Sequence, residues 1–248
     1  AVQAAALVAL LRVFLTAVPG VYAERYGILW GLAALTMVVA NLNATQQSNE
    51  KRMLAYSSVA HAGYLMVALA AANETAAAGL LFYLLIYAVM NMGAFAVVMV
   101  VSRQGEDNLS LEDYSGLGWS QPVLAVFLTI FLLSLAGFPG TGGFMGKIFL
   151  LQGAVDAELW TLSVILVLTT VVSYYYYLRL AWYVWMREPV EEGQHAGVYV
   201  PMSTRVLLGA AVAAILFFGI LPGPALDLAR DSVSSLMGAG SAVAGVLP

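Results

Sequence analysis

Two ionisable side chains of this 248-residue chain lie deep inside apolar segments, where a charge is costly. Lys147, one of only two lysines, stands in GFMGKIFLLQGAV, about 12 Å from the nearer helix end. His61, in LAYSSVAHAGYLM, lies about 15 Å into its helix. A buried amine can switch between its charged and neutral forms, and an imidazole can pass a proton between two partners. The pair therefore predicts proton transfer inside a membrane.

Each of the two residues also has a simpler interpretation. The Lys147 ammonium could snorkel along its own stem to the membrane interface. His61 could do no more than hydrogen-bond to a neighbouring helix, and the sequence does not separate this role from proton transfer. Ser57 and Ser58 precede His61 by about one turn and extend a possible polar file with it.

Two further sets of polar and aromatic residues flank these positions. Tyr83, Tyr87 and Asn91 recur every four residues and share one helix face. Such a stripe can hold a water chain, but its residue types by themselves favour ordinary hydrogen bonds between helices. A second set predicts an interfacial aromatic belt that anchors its helix. It comprises Ser173, Tyr174, Tyr175, Tyr176, Tyr177, Arg179, Trp182, Tyr183 and Trp185.

The composition predicts the elements that position these residues. The chain is 62% hydrophobic and 10% charged, whereas soluble domains carry about 25% charged residues. Long uncharged runs rich in leucine and alanine predict an all-α transmembrane fold and exclude a β-barrel, whose strands alternate polar and apolar residues. The net charge of −4 argues against nucleic-acid binding. Without cysteine, and with its two histidines far apart, the chain is expected to hold no metal and no redox cofactor.

Seven spans are predicted, and one of them is broken. The spans are 1–17, 27–46, 52–72, 76–102, 121–155, 158–186 and 204–221. The fifth would be about 52 Å long as a straight helix, which is too long for one crossing and too short for two. Its middle carries residues that interrupt a helix. They are Gly137, Pro139, Gly140, Gly142 and Gly143.

The distribution of basic residues favours a single crossing for the broken segment. Lys51, Arg52, Arg103 and Arg187 then collect on one side of the membrane. Loops 47–51, 103–120 and 187–203 are accordingly predicted on the cytoplasmic or matrix side, in a bacterial cytoplasmic or mitochondrial inner membrane. The tail 222–248 is expected on the opposite side, lying along the surface or without regular structure.

Three strings resemble a known family. NLNATQQSNEKRMLAYSSVAHAGYLMVAL, LAGFPGTGGFMGKIFLL and VVSYYYYLRL are similar to the antiporter-like membrane subunits of proton-pumping NADH:quinone oxidoreductase, respiratory complex I. Among these subunits the strings most resemble the N subunit, called subunit 2 in mitochondria. Two histidines and a lysine of the most antiporter-like members are replaced here by Tyr83, Tyr87 and Asn91, as in the N subunit.

The resemblance implies a function and roles for single residues. Lys147 corresponds to the proton-holding lysine of the broken twelfth helix, and His61 to the tenth-helix histidine on the hydrated axis. The chain would translocate protons as a subunit of the oxidoreductase, coupled electrostatically to NADH:quinone electron transfer in other subunits, with no redox chemistry of its own. Its implied partners are other membrane subunits, including the antiporter-like M subunit and the small K subunit, and membrane lipids.

The resemblance also implies a division of the chain and two departures from the family. Residues 1–25 would hold the eighth helix, 26–186 the second five-helix repeat, 187–203 a loop, 204–221 the last span and 222–248 the tail. The first departure is Gln3, which occupies the position of a proton-relaying lysine. The second is that the first repeat of the family's about fourteen helices is missing, so its residues would belong to another polypeptide or another part of the protein. These departures leave two alternatives open: a non-conducting spacer subunit, and a subunit of a multisubunit cation/proton antiporter.

Overall fold

Helices account for nearly all of the regular structure in the computed structural model, which describes residue 9 and residues 22–102, 110–189 and 200–244. In chain order the helices are α1 Tyr22–Thr45, α2 Glu50–Ala71, α3 Glu74–Val101, the short α4 Leu117–Ser120, α5 Pro122–Ala136, α6 Gly142–Asp156, α7 Trp160–Met186, α8 Met202–Ile220 and α9 Gly223–Ala244. A 3₁₀ turn, Leu111–Tyr114, precedes α4. The predicted all-α fold is confirmed.

Five of these helices contain segments long and apolar enough to cross a membrane. The segments are Gly27–Thr45, Glu50–Ala71, Glu74–Val101, Trp160–Met186 and Met202–Ile220. Helices α5 and α6, of 15 residues each, rise only about 22 Å apiece and can together make one crossing. The predicted span 1–17 lies outside the described residues apart from residue 9.

The helix ends follow from their local sequence. Asn49 precedes α2, and its side-chain oxygen accepts the backbone N–H of Arg52 at 3.0 Å. Asn73 does the same before α3, where its side chain accepts the N–H of Ala76 at 2.7 Å. Each asparagine thus satisfies one of the unpaired amides at a helix start. Pro122 begins α5, at a position where its missing N–H removes no helical bond.

The break between α5 and α6 is shorter than predicted. Gly137 ends α5 in the left-handed region at φ +90°, and Gly140 follows at φ +88°. Pro139 lies between them, outside both helices. Gly142 and Gly143, predicted as part of the break, instead form the first turn of α6. Neither position leaves room for a side chain, since a Cβ at Gly142 would meet the Ile86 side chain and a Cβ at Gly143 would overlap the Ser134 carbonyl.

Small residues bring α6 against α3, as is typical of helix pairs in membranes. The ring of Tyr83 lies directly over Gly146, and Ala76 lies over Gly153. Gly142 faces Ile86, about halfway along α3. The break is therefore held near the middle of the longest membrane helix in the described part of the chain, and Lys147 is held one residue from the Tyr83 contact.

Three connecting segments meet at one end of the bundle. The Leu111 amide donates to the Ser48 carbonyl at 3.0 Å, and Asn49 pairs with Ser110 in an antiparallel bridge. Gly116 contacts Pro189, and Gly118 contacts the ring of Trp185. The ends of α1 and α7 and the start of α5 therefore lie on the same side as the start of α2, which agrees with a single crossing by α5 and α6.

The segment after Leu221 is a helix over most of its length. It forms α9 and packs against α3. Ala225, Leu226, Ala229 and Val233 are buried there. Of the two alternatives for this tail, the one without regular structure is thus wrong for Gly223–Ala244, because these four residues recur on one helix face and bury it against α3.

Candidate functional site

The Lys147 side chain reaches from α6 to the broken end of α5. Its ammonium donates hydrogen bonds to the Leu135 carbonyl at 3.1 Å and to the Ala136 carbonyl at 2.9 Å. The residue is only 5% exposed. The snorkelling interpretation is therefore wrong, because the amine is directed into the bundle and caps a helix there.

The other carbonyls at this helix end have partners of their own. The Phe138 amide donates to the Leu133 carbonyl at 2.9 Å, and the Gly137 amide donates to the Ser134 carbonyl at 3.1 Å. This is the Schellman arrangement, which the left-handed Gly137 permits. The Tyr174 hydroxyl donates to the Gly137 carbonyl at 2.7 Å. Lys147 thus completes the set by binding the two carbonyls that the backbone leaves free.

The partners of the Lys147 ammonium are neutral. No carboxylate lies within ion-pair distance of it in the part of the chain that the structure describes. Its positive charge is stabilised by the two carbonyls and by the negative end of the α5 helix dipole. These neutral partners stabilise the charge less than a paired carboxylate would. Both protonation states of the amine are therefore within reach of a change in the surrounding charges.

The Tyr64 ring links Lys147 to His61. The Lys147 ammonium lies 4.9 Å from the centre of the Tyr64 ring, a cation–π distance. The same ring meets His61 edge-on, with 5.5 Å between ring centres. Lys147 and His61 are close enough to interact electrostatically. A charge on either residue is consequently felt by the other, although no direct hydrogen bond joins them.

His61 is buried and bonded through both ring nitrogens. Its Nδ1 lies 2.6 Å from the Tyr83 hydroxyl, and its Nε2 lies 3.1 Å from the Tyr177 hydroxyl. A neutral imidazole has one N–H and one acceptor nitrogen, so one hydroxyl donates to the ring while the other accepts from it. If a proton enters at one nitrogen and another leaves at the opposite nitrogen, the ring transfers charge between α3 and α7.

Asn41 of α1 holds the hydroxyl groups of two tyrosines, Tyr64 and Tyr176, by hydrogen bonds. Its side-chain amide donates to the Met37 carbonyl at 2.8 Å and to the Tyr64 hydroxyl at 3.2 Å. Its side-chain oxygen accepts the Tyr176 hydroxyl at 3.1 Å. Asn41 was not among the residues predicted from the sequence. An asparagine within an apolar span was the available signal, because such residues usually bond to a neighbouring helix.

Ser57 and Ser58, also predicted from the sequence, lie about one turn before His61 on α2. Ser57 and Ser58 both donate to the Leu54 carbonyl of their own helix, at 2.9 and 3.0 Å. Ser57 also lies beside the Tyr177 hydroxyl, and Ser58 lies beside the Tyr87 hydroxyl.

The stripe on α3 divides into bonded and unbonded members. Tyr83 bonds to His61. The Tyr87 hydroxyl and the Asn91 side-chain oxygen are buried, and neither has a hydrogen-bond partner among the described residues. Tyr83 therefore acts as a link between helices, whereas the other two present polar atoms that a water molecule could satisfy.

The predicted aromatic belt on α7 is partly wrong. Tyr176 and Tyr177 are 1% exposed and bond to Asn41 and His61 inside the bundle. Tyr175 is 60% exposed, as a belt residue would be. Consecutive residues of a helix point about 100° apart, so a run of four tyrosines cannot all face the interface.

A cavity of about 200 Å³ reaches Lys147 from the α7 side. Its lining is largely apolar and includes Gly137, Thr170 and Tyr174. The Thr170 hydroxyl is buried and has no hydrogen-bond partner among the described residues. Water occupies about 30 Å³ per molecule in the liquid, so the cavity has room for a few molecules near the amine. Gln3, the substituted relay position, lies outside the described residues.

Comparison with known proteins places this arrangement in a family. The family model described as NADH:quinone oxidoreductase/Mrp antiporter, transmembrane, matches residues 1–173. The chain belongs to this family. The resemblance stated from the sequence is thereby confirmed, and the broken helix with its buried lysine lies within the matched residues.

Relatives and solved structures of the family agree with the match. The chain is 45% identical to NADH-quinone oxidoreductase subunit N of Trichlorobacter lovleyi, over 93% of this chain and 47% of that protein. It also resembles a chain of respiratory complex I from Thermus thermophilus, with a TM-score of 0.72, 39% identity, and coverage of 81% of this chain and 45% of that one. A chain of the Mrp complex from Dietzia shares the fold, with a TM-score of 0.82 and 19% identity over 94% of this chain and 51% of that one. The chain thus spans about half the length of the curated relatives it matches.

Proposed function

We propose that this chain provides one half of a proton pathway in the membrane arm of an NADH:quinone oxidoreductase. The observation that carries the proposal is the Lys147 amine, buried at a helix break with carbonyls as hydrogen-bond partners and close enough to His61 to sense its charge. The names of its most similar relatives support the choice of complex. Electron transfer would take place in other subunits.

The proposed cycle uses charge as its signal. An approaching positive charge disfavours the Lys147 ammonium and drives its proton off, and withdrawal of that charge allows the amine to be protonated again. The cavity between α6 and α7 would offer the released proton a route. At His61, one ring nitrogen would take up a proton as the opposite nitrogen gives one up, along the hydrogen bonds to the Tyr83 and Tyr177 hydroxyls, and each hydroxyl would regain the proton that it passes on. Lys147 acts as the store and His61 as the relay.

The surroundings of the chain follow from the same proposal. Other membrane subunits of the complex would contact it, with the M and K subunits as its neighbours. The loops 47–51, 103–120 and 187–203 would face the cytoplasm or matrix, because the sequence collects basic residues in them. A cation/proton antiporter is less well supported, since Asn91 replaces the lysine of that group and the likeness to the Mrp chain concerns the fold.

The proposal predicts that His61→Gln slows proton pumping. Glutamine can still donate and accept hydrogen bonds, so the links to Tyr83 and Tyr177 are kept, but it does not take up a proton. In vesicles containing the whole complex, we expect the number of protons moved per electron to fall, with a loss of about a hundredfold in the rate of proton transfer through this chain.

The control for this variant is Tyr56→Leu, which changes an exposed residue of the same helix. It should pump as the unaltered complex does. If His61→Gln also pumps normally at normal turnover, the chain conducts no protons through this site, and the spacer alternative is favoured.

A further inference from the structure

A carboxyl group is buried where α2 begins. Glu50 is the first residue of α2, a place where an acidic side chain normally points into water, yet it is 0% exposed. The segment 110–120 covers it, with Leu111, Tyr114 and Leu117 packed inward. The hydrogen bond from the Leu111 amide to the Ser48 carbonyl holds this segment in place.

The contacts of Glu50 leave half of the carboxyl group free. The Tyr114 hydroxyl donates a short hydrogen bond to Oε2, whereas Oε1 is buried without a partner in the described part of the chain. Burial, and after it the adjacent Glu50 carboxyl, raises the pKa of Tyr114. The hydroxyl therefore keeps its proton and acts as the donor.

Opposing influences act on the charge of Glu50. Burial disfavours the carboxylate, while the Tyr114 hydroxyl, the neighbouring charge of Lys51 and the start of the helix favour it. No salt bridge within the described residues fixes one form. Because these influences oppose each other, the carboxyl group can take up and release a proton. A water molecule would bind at its free oxygen, Oε1.

Glu50 stands on the same helix face as the proposed relay. Ser57 and His61 follow it by seven and eleven residues, which are separations that return to one side of an α-helix. All three side chains are buried. Ser57 lies beside the Tyr177 hydroxyl, which is bonded to His61. The remaining gap, from Glu50 to Ser57, is about 10 Å along the helix and could be bridged by a few water molecules.

We propose that Glu50 is the carboxyl group that loads protons into this pathway at the loop end of the bundle. It would take a proton from the aqueous phase outside the segment 110–120, which covers it, and release the proton along α2 toward Ser57, Tyr177 and His61. Tyr114 holds the carboxyl group in position and keeps its own proton throughout. This inference rests on the proposed function, since a chain that conducts no protons needs no loading group.

The test compares Glu50→Gln with Glu50→Asp in vesicles containing the whole complex. Glutamine retains an oxygen that can accept from Tyr114, so the cover of the segment 110–120 is kept, but the proton carrier is lost. We expect Glu50→Gln to slow proton transfer through this chain by about a hundredfold and Glu50→Asp to keep most of it. Glu112→Gln, an exposed glutamate of the same segment, should pump as the unaltered complex does.

The outcomes separate this inference from the proposed function. Normal pumping by Glu50→Gln together with defective pumping by His61→Gln overturns the loading role and leaves the proposed function standing. Normal pumping by both variants overturns both proposals. If Glu50→Gln does not assemble, infrared difference spectra decide: Glu50→Asp should shift a carboxylic acid C=O band seen during turnover, and an unshifted spectrum overturns the loading role.

Discussion

Replacing Lys147 with methionine should remove proton pumping through this chain. Methionine fills a similar volume but holds no proton, so the store between His61 and the cavity is lost. We expect proton transfer through this chain to fall by about a hundredfold or more, measured as protons per electron in vesicles containing the whole complex. Methionine also leaves the Leu135 and Ala136 carbonyls without their side-chain donor, at about 1–3 kcal/mol for each buried unpaired group.

Lys147→Arg separates the loss of a proton carrier from the loss of a helix cap. Arginine can still donate to the two carbonyls, but it stays charged at every physiological pH. We expect this variant to assemble better than Lys147→Met and to pump equally poorly. Gln152→Met, an exposed position on the same helix, should behave as the unaltered complex does. Normal pumping by Lys147→Arg would mean that Lys147 serves as a cap and not as a proton store.

Lys147 could be identified from the sequence because two unusual features coincide there. A lysine deep in an apolar segment and a Gly/Pro cluster inside a membrane helix are both rare. Because both occur within a few residues of each other, they together indicate a functional site. The partners of the amine could not be found in this way. They are backbone carbonyls of Leu135 and Ala136, and every residue has a carbonyl, so no residue type marks them.

The tyrosines of α7 were only partly predictable, for a geometric reason. A belt and a buried cluster use the same residue type, and what separates them is the direction of each side chain. In the structure Tyr174 bonds to the break, Tyr176 to Asn41 and Tyr177 to His61, while Tyr175 points outward. The helical period requires that at least one of four successive residues face the bundle, but it does not say which one.

Glu50 illustrates a different limit of the sequence. Next to Lys51 and Arg52, it has the pattern of a solvated helix end, and the local sequence gives no reason to bury it. Its burial comes from the segment 110–120, about 60 residues away, which folds back over the start of α2. Contacts between residues so distant in sequence depend on the tertiary packing of the whole bundle.

A methyl group at Gly143 should prevent stable assembly of the site. A Cβ there would overlap the Ser134 carbonyl, and the Ser134 hydroxyl lies close by, because it accepts the Gly143 amide at 3.2 Å. The overlapping atom belongs to the backbone, which cannot change rotamer as a side chain can. The loss of stability should therefore reach or exceed the value typical of overpacking, about 1–3 kcal/mol. We expect Gly143→Ala to lower the amount of assembled complex on native gels and its resistance to heat in detergent.

The matched control for this variant is Gly209→Ala. Gly209 lies in α8 with its nearest neighbour, the Phe127 ring, 3.7 Å from an added Cβ, so alanine fits there and favours the helix. The two variants add the same methyl group and differ only in the space that receives it. If Gly143→Ala assembles as well as Gly209→Ala, then α6 does not pack against the end of α5 as described. The Lys147 amine, one turn further along α6, would then lose its geometric reason for meeting the Leu135 and Ala136 carbonyls.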